Sequence, residues 1–152
     1  MNNRQIYVIY CDDIRVEMGN KQSLMGVYNT ELVVPNLPTS LPKLAICVRI
    51  FTPADQPFKE IFIKAMLDDQ VLGEAPADPS LLKEMKMSPA FDEDGKSVCY
   101  GEISIIMAFA PFVIPHECRL KIHVTIDGEL FKGPPLLLRT PLENESVSFA
   151  PV

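Results

Sequence analysis

From Leu120 to Leu138 the chain reads LKIHVTIDGELFKGPPLLL. Up to Ile126 apolar and polar residues alternate, and a period of two means an extended segment with one buried face. Asp127-Gly128 then intervenes before a second apolar segment. Asp-Gly between two such runs is a strong short-range hairpin signal. The same period recurs along most of the chain, which predicts a sheet protein. That settles architecture and leaves activity open.

The rest of the chain reads in the same way. Ile6 to Cys11 is apolar on both faces, as a strand covered on each side would be. Ile14 to Tyr28, turning at Gly19-Asn20-Lys21, reads as a hairpin. Pro35 to Pro42 is a proline-rich crossing between sheets, where a ladder cannot continue. Lys43 to Thr52 and Glu60 to Leu67 alternate cleanly, and Val98 to Phe109 is the longest apolar strand candidate. Gly73 to Lys96, rich in Pro, Asp, Glu and Lys, reads as a long surface connection. Within it, Asp78-Pro79 is a fair N-cap and first-turn proline, so at most one short helix is expected near 79–86. Seven to nine strands with proline-marked crossings predict an all-β, two-layer antiparallel sandwich. An immunoglobulin-like or C2-like Greek key is the first choice, and an open barrel is the alternative. The expected organisation is one domain over 1–140 and a tail over 141–152.

Composition narrows the function classes. A hydrophobic share of 47% suits a folded core, and a net charge of −6 with no visible Lys/Arg cluster disfavours nucleic-acid binding. No apolar run approaches a membrane span, and Ile6 to Cys11 is too short for a signal-peptide core. The expectation is a cytoplasmic protein. Cys11, Cys47, Cys99 and Cys118 are widely spaced within or beside apolar runs, so they read as small hydrophobes kept reduced.

The search for chemistry is thin. Asp12-Asp13 and Asp68-Asp69 each follow a strand, and Asp92-Glu93-Asp94 lies in the long connection. Loops gathered at one end of a sandwich could bind calcium through such oxygens, which makes Asp12, Asp13, Asp68 and Asp69 the metal candidates. The competing reading is that aspartates end strands and favour turns. Adjacent carboxylates on an extended chain point to opposite faces, so neither pair alone makes an acid/base couple. His116 and Cys118 could share a strand face as metal ligands or as a thiolate pair, yet no second ligand pair and no orienting group is visible. His123, alternating with Ile122 and Val124, reads as a surface or interface residue. No catalytic motif, phosphate-cradling loop or cofactor signature is present. The expectation is a chain that is not an enzyme, with no catalytic residues and no cofactor.

Tyr10-Cys11-Asp12-Asp13-Ile14-Arg15, followed by Ser23-Leu24-Met25-Gly26-Val27-Tyr28, resembles the opening signature of an uncharacterised family of small bacterial and prophage proteins. Leu41-Pro42-Lys43-Leu44 and Val124 to Gly128 extend that resemblance. It implies a compact β-sandwich of bacterial or phage origin and imports no catalytic residue. Asp12, Asp13 and Arg15 beside Gly26 and Tyr28 then read as a structural ion-pair corner, with carboxylates facing the arginine and a tyrosine over a glycine. Val98 to Phe109 is apolar on both faces, and such a strand needs a cover from a loop, a tail or a partner. The favoured function is therefore a non-enzymatic protein-interaction or assembly module that binds a protein partner or itself, with a homo-oligomer as one form. An acidic phage inhibitor of a host protein is a specialised version. A loop-based calcium or small-ligand domain is the alternative.

Overall fold

The computed structural model describes residues 3–149. Among them are β1 (Gln5–Val16), β2 (Gln22–Tyr28), β3 (Glu31–Val33), β4 (Thr39–Leu41) and β5 (Leu44–Pro53). Then come β6 (Ile61–Leu67), β7 (Gln70–Pro76), the helix α1 (Pro79–Lys83), β8 (Lys86–Phe91) and β9 (Ser97–Phe109). The chain closes with β10 (Phe112–Ile114), β11 (Cys118–Ile126), β12 (Glu129–Lys132) and β13 (Leu136–Arg139). These thirteen strands exceed the seven to nine expected. Three-residue segments inside the proline-rich loops, β4 and β10, pair with one another in a small ladder of their own.

Two sheets face each other. The first has the order β2-β1-β5-β9-β8; the second has the order β3-β13-β11-β6-β7, with β12 also on β11. Taking β1, β5, β9 and β8 as strands A, B, E and D, and β6, β11 and β13 as C, F and G, this is the immunoglobulin arrangement of the two sheets. One pairing departs from the antiparallel expectation: β3 runs parallel to β13, through Leu138 and Leu32. The core is the alternate residues of both sheets: Leu44, Ile46, Val48 and Ile50 from β5 meet Leu120, Ile122, Val124 and Ile126 from β11, all fully buried. The Asp-Gly hairpin forms as expected between β11 and β12, with Asp127 and Gly128 both at positive φ. Asp127 also accepts the amides of Lys59 and Glu60 and pairs with Arg4 at 2.7 Å, which fastens the turn to the start of β1.

The last strand is broken. Partners of β12 on β11 run from His123–Lys132 to Ile126–Glu129, whereas those of β13 run from Cys118–Leu138 to Leu120–Leu136. The pairing slips by one residue across Gly133-Pro134-Pro135, which is the geometry of a bulge. Gly133 sits there because Val8 of the opposite sheet packs onto it; a Cβ would lie 2.5 Å from Val8 Cγ2.

The connection from Gly73 to Lys96 is more ordered than its composition suggests. β7 continues to Pro76, and Lys86–Phe91 forms β8, an entire strand where a loop is expected. The helix is where the capping signal puts it, with Asp78 accepting the Ser80 amide.

Candidate interaction surface

The predicted acidic pairs do not come together. Asp12 and Asp13 lie within β1, not after it, because the strand runs on to Val16. Asp12 accepts the Tyr28 hydroxyl, and the Tyr28 phenol is pushed up by burial and by that carboxylate. Asp13 pairs with Lys43 and accepts the Ile14 amide; those contacts hold its carboxyl below the usual range. This differs from the corner expected from the sequence: the cation paired with Asp13 is Lys43, and Arg15 acts on Asp13 only at longer range. Gly26 is at positive φ, and a side chain there would collide with Asp12. Asp68 is in the β6–β7 turn at positive φ and accepts the Arg119 amide, while exposed Asp69 lies 3.7 Å from Lys121. His116 is on an exposed turn, bonded to the neighbouring Glu117 carbonyl. Cys118 is buried, and burial pushes its thiol up, away from thiolate character. Among the described residues, no three His, Cys, Asp or Glu side chains gather as a metal set.

Part of the outer face of the first sheet is covered by the chain's own hairpin. Cys11 is the last β1 residue paired with β5, opposite Ala45. A straight continuation would carry β1 and β2 past the end of β5. Instead, Gln22 at the far end of the arm donates to Ser104 Oγ at 3.2 Å and accepts from the Cys47 thiol at 3.5 Å. The arm therefore bends, at Asp12 and Gly26, and lies back over the sheet. It buries Cys11, Ala45 and Cys47, which face away from the core. Between the arm, β9 and α1 there remains a groove of about 720 Å³, with Leu24, Arg49, Met85, Glu102 and Ser104 among its walls. Arg49 and Glu102 pair across its floor, Nε to Oε1 at 2.8 Å.

A second feature is built only by the ladder. His123 stands directly between Lys64 and Lys132 on the outer face of the second sheet. Burial, then Lys132, Lys121 and Lys64, hold its imidazole below the ordinary value. The sequence shows no basic cluster because these lysines are far apart in the chain. Glu74 and Asp69 partly neutralise them.

The sheet edges are unequal. An exposed edge strand is a template for another chain, and proteins blunt such edges with bulges, prolines, charges or brevity. β8 has Pro89 at its middle, β7 carries a register shift and ends in Pro76, and β2 is kinked at Gly26. β3 has three residues, and β12 has four, two of them Glu129 and Lys132. β1 leaves only the short stretch Gln5–Ile9 beyond β2, next to Arg4. β9 differs. β8 pairs with it only from Ser97 to Glu102, while β5 follows it to Phe109. From Ile103 to Phe109 no backbone ladder lies on its other side among the described residues. That stretch, ISIIMAF, contains no charge, proline or glycine. Ile105, Met107 and Phe109 are half-buried, and Ile106 is 40% exposed.

Fold and surface together define an immunoglobulin-like β-sandwich with a partly covered outer face and one bare edge. Residues 6–139 match a family of unknown function, DUF6941, and the chain belongs to that family. No curated protein and no solved structure matches it. None of the described helices is long and apolar enough to cross a membrane.

Proposed function

We propose that this chain is a non-enzymatic protein-interaction or assembly module of a bacterium or phage, working in the cytoplasm, and that it receives an extended strand of a protein partner along Ile103–Phe109. The bare β9 edge carries this reading. Every second residue of an edge strand turns its N–H and C=O away from its neighbour, so the backbone offers a ladder that any extended segment can complete. The apolar side chains on both faces of the stretch would be covered by the same strand. The four thiols, unpaired among the described residues, are in keeping with a reducing compartment. The bacterial or phage origin rests on the sequence resemblance, which makes a bacterial lysate the natural source of partners.

The test compares proteins captured from such a lysate by the wild-type chain and by Ile106→Lys. Ile106 is exposed, so the variant should still fold, with a cooperative melt, while losing the captured protein. Capture of the same protein at the same yield by both chains would refute the edge as the docking site.

A further inference from the structure

We infer that the strand received at this edge is β9 of a second copy, paired antiparallel about a two-fold axis through Ile106. This rests on the reading of the bare edge given above and names its occupant. The argument is one of fit. In an antiparallel pair centred on Ile106, Ile105 faces Met107 of the other copy, Ser104 faces Ala108, and Ile103 faces Phe109. The free stretch begins at Ile103, because β8 occupies the place beside Glu102. The strand itself ends at Phe109, where Ala110-Pro111 begins the turn to β10. The incoming strand therefore stops where β8 starts, and symmetry repeats this at the other end. No ladder position is claimed twice and none is left open.

The side chains agree with that register. Ile103, Ile105, Met107 and Phe109 are on the core side, where the last three are only partly buried. The second copy brings the same residues in reverse order and extends the core across the axis. Ser104, Ile106 and Ala108 form the other row, opposite Arg49, Cys47 and Ala45 of β5. Direct cross-strand neighbours of like charge are destabilising. This stretch carries no charge, so no like charges face each other across the paired strands. Such a contact is isologous and closes at two copies. The two five-stranded sheets become one continuous sheet.

The experiment is light scattering on the eluting full-length chain over a wide concentration range, with disulfide trapping to fix the register. Cys99, the exposed thiol, and Cys47, which lies opposite Ile106 and 3.6 Å from the Ser104 hydroxyl, are first replaced by serine. The wild type should elute at twice the monomer mass, and Ile106→Glu at the monomer mass, still folded with a single cooperative melt that no longer depends on concentration. Ile106→Cys should cross-link to itself under mild oxidation, since residues on the axis face each other within disulfide reach. Ala108→Cys alone should not, whereas a mixture of Ala108→Cys and Ser104→Cys should. A wild type that is monomeric throughout, a dimer that survives Ile106→Glu, or self-trapping of Ala108→Cys as efficient as that of Ile106→Cys would each overturn the two-fold pairing. If the wild type is monomeric and Ile106→Lys still loses its captured protein, only the identity of the occupant fails. If Ile106→Lys keeps that protein, the edge itself fails as a docking site.

Discussion

The hydroxyl of Tyr10 in β1 donates to the carbonyl of Pro134 at 2.7 Å, across the sandwich. The Leu120 carbonyl lies 3.4 Å from the same oxygen. Pro134 is in the break between β12 and β13, where the slipped register removes the ladder partner its carbonyl would otherwise have. Burial pushes the phenol up, which favours its neutral, donating form. Tyr10→Phe would remove the donor to that partly buried carbonyl. The expected loss is about 0.5–1.5 kcal/mol, read as a lower midpoint in urea unfolding. An unchanged midpoint would show that the bond contributes nothing.

Gly133 and Val8 form another contact between the sheets. Gly133→Ala places a Cβ 2.5 Å from Val8 Cγ2 and 3.4 Å from the Ile122 carbonyl. Overpacking of this kind destabilises by about 1–3 kcal/mol. Val8→Ala opens the space, so the double variant should be more stable than the sum of the two single losses. Urea midpoints for the four proteins decide it. Strict additivity would mean that Val8 is not the obstacle.

Much of this was legible before any coordinates. Period-two alternation is a backbone property, so β5, β6, β9 and β11 could be read from their own residues. The Asp127-Gly128 turn and the Gly133-Pro134-Pro135 break were equally local. What escaped was whatever depends on distant partners. β8 is hidden because it contains Pro89 and because Met87 to Phe91 lie exposed on an edge, so burial prints no alternation on it. β1 looked interrupted at Asp12-Asp13, since two carboxylates inside a strand make sense only once Tyr28 and Lys43 are seen beside them. The need for a cover over apolar outer faces was visible, and on β1 and β5 the cover is the chain's own hairpin. The basic row around His123 could not be seen, because Lys64, His123 and Lys132 become neighbours only through strand pairing. The bare edge of β9 was invisible for the same reason: it is defined by where β8 stops.

Arg139 and Glu145 clasp the start of the C-terminal tail. Arg139 is buried; its guanidinium meets Glu145 at 2.6 Å and Glu31 at 2.8 Å. Glu145 also accepts the Leu142 amide at 2.9 Å. Arg139, then that amide, draw the Glu145 carboxyl from 4.5 to about 2. A depressed carboxylate stabilises the folded form fully above its ordinary value and loses that contribution as pH falls from 4.5 towards 2. Glu145→Gln should release the tail at neutral pH. Hydrogen exchange at the Leu142 amide should be fast in the variant at pH 7 and slow in the wild type. In the wild type, protection should persist at pH 4, above the shifted value, and fade near pH 2. Equal protection in the two proteins at pH 7 would place the tail's anchor elsewhere.

His123 makes the fold acid-sensitive in the opposite protonation sense. Its imidazole is held below 6.5 by partial burial and by Lys132, Lys121 and Lys64, so the native state favours the neutral ring. As pH falls through 6.5 the unfolded chain takes up a proton before the folded one does, and folding stability declines until the native ring also protonates. Above that range the residue is neutral in both states and has no effect on the pH dependence. His123→Gln removes the titrating group and keeps a polar side chain on the strand. The difference in melting temperature, variant minus wild type, should therefore rise between pH 8 and pH 5. Lys132→Gln should raise the lower end of that window and so narrow it, since it removes the first of the three cations, and an imidazole NMR titration should show the native ring protonating at higher pH. A melting-temperature difference that stays flat from pH 8 to pH 5 would mean that the lysine row leaves the ring unperturbed.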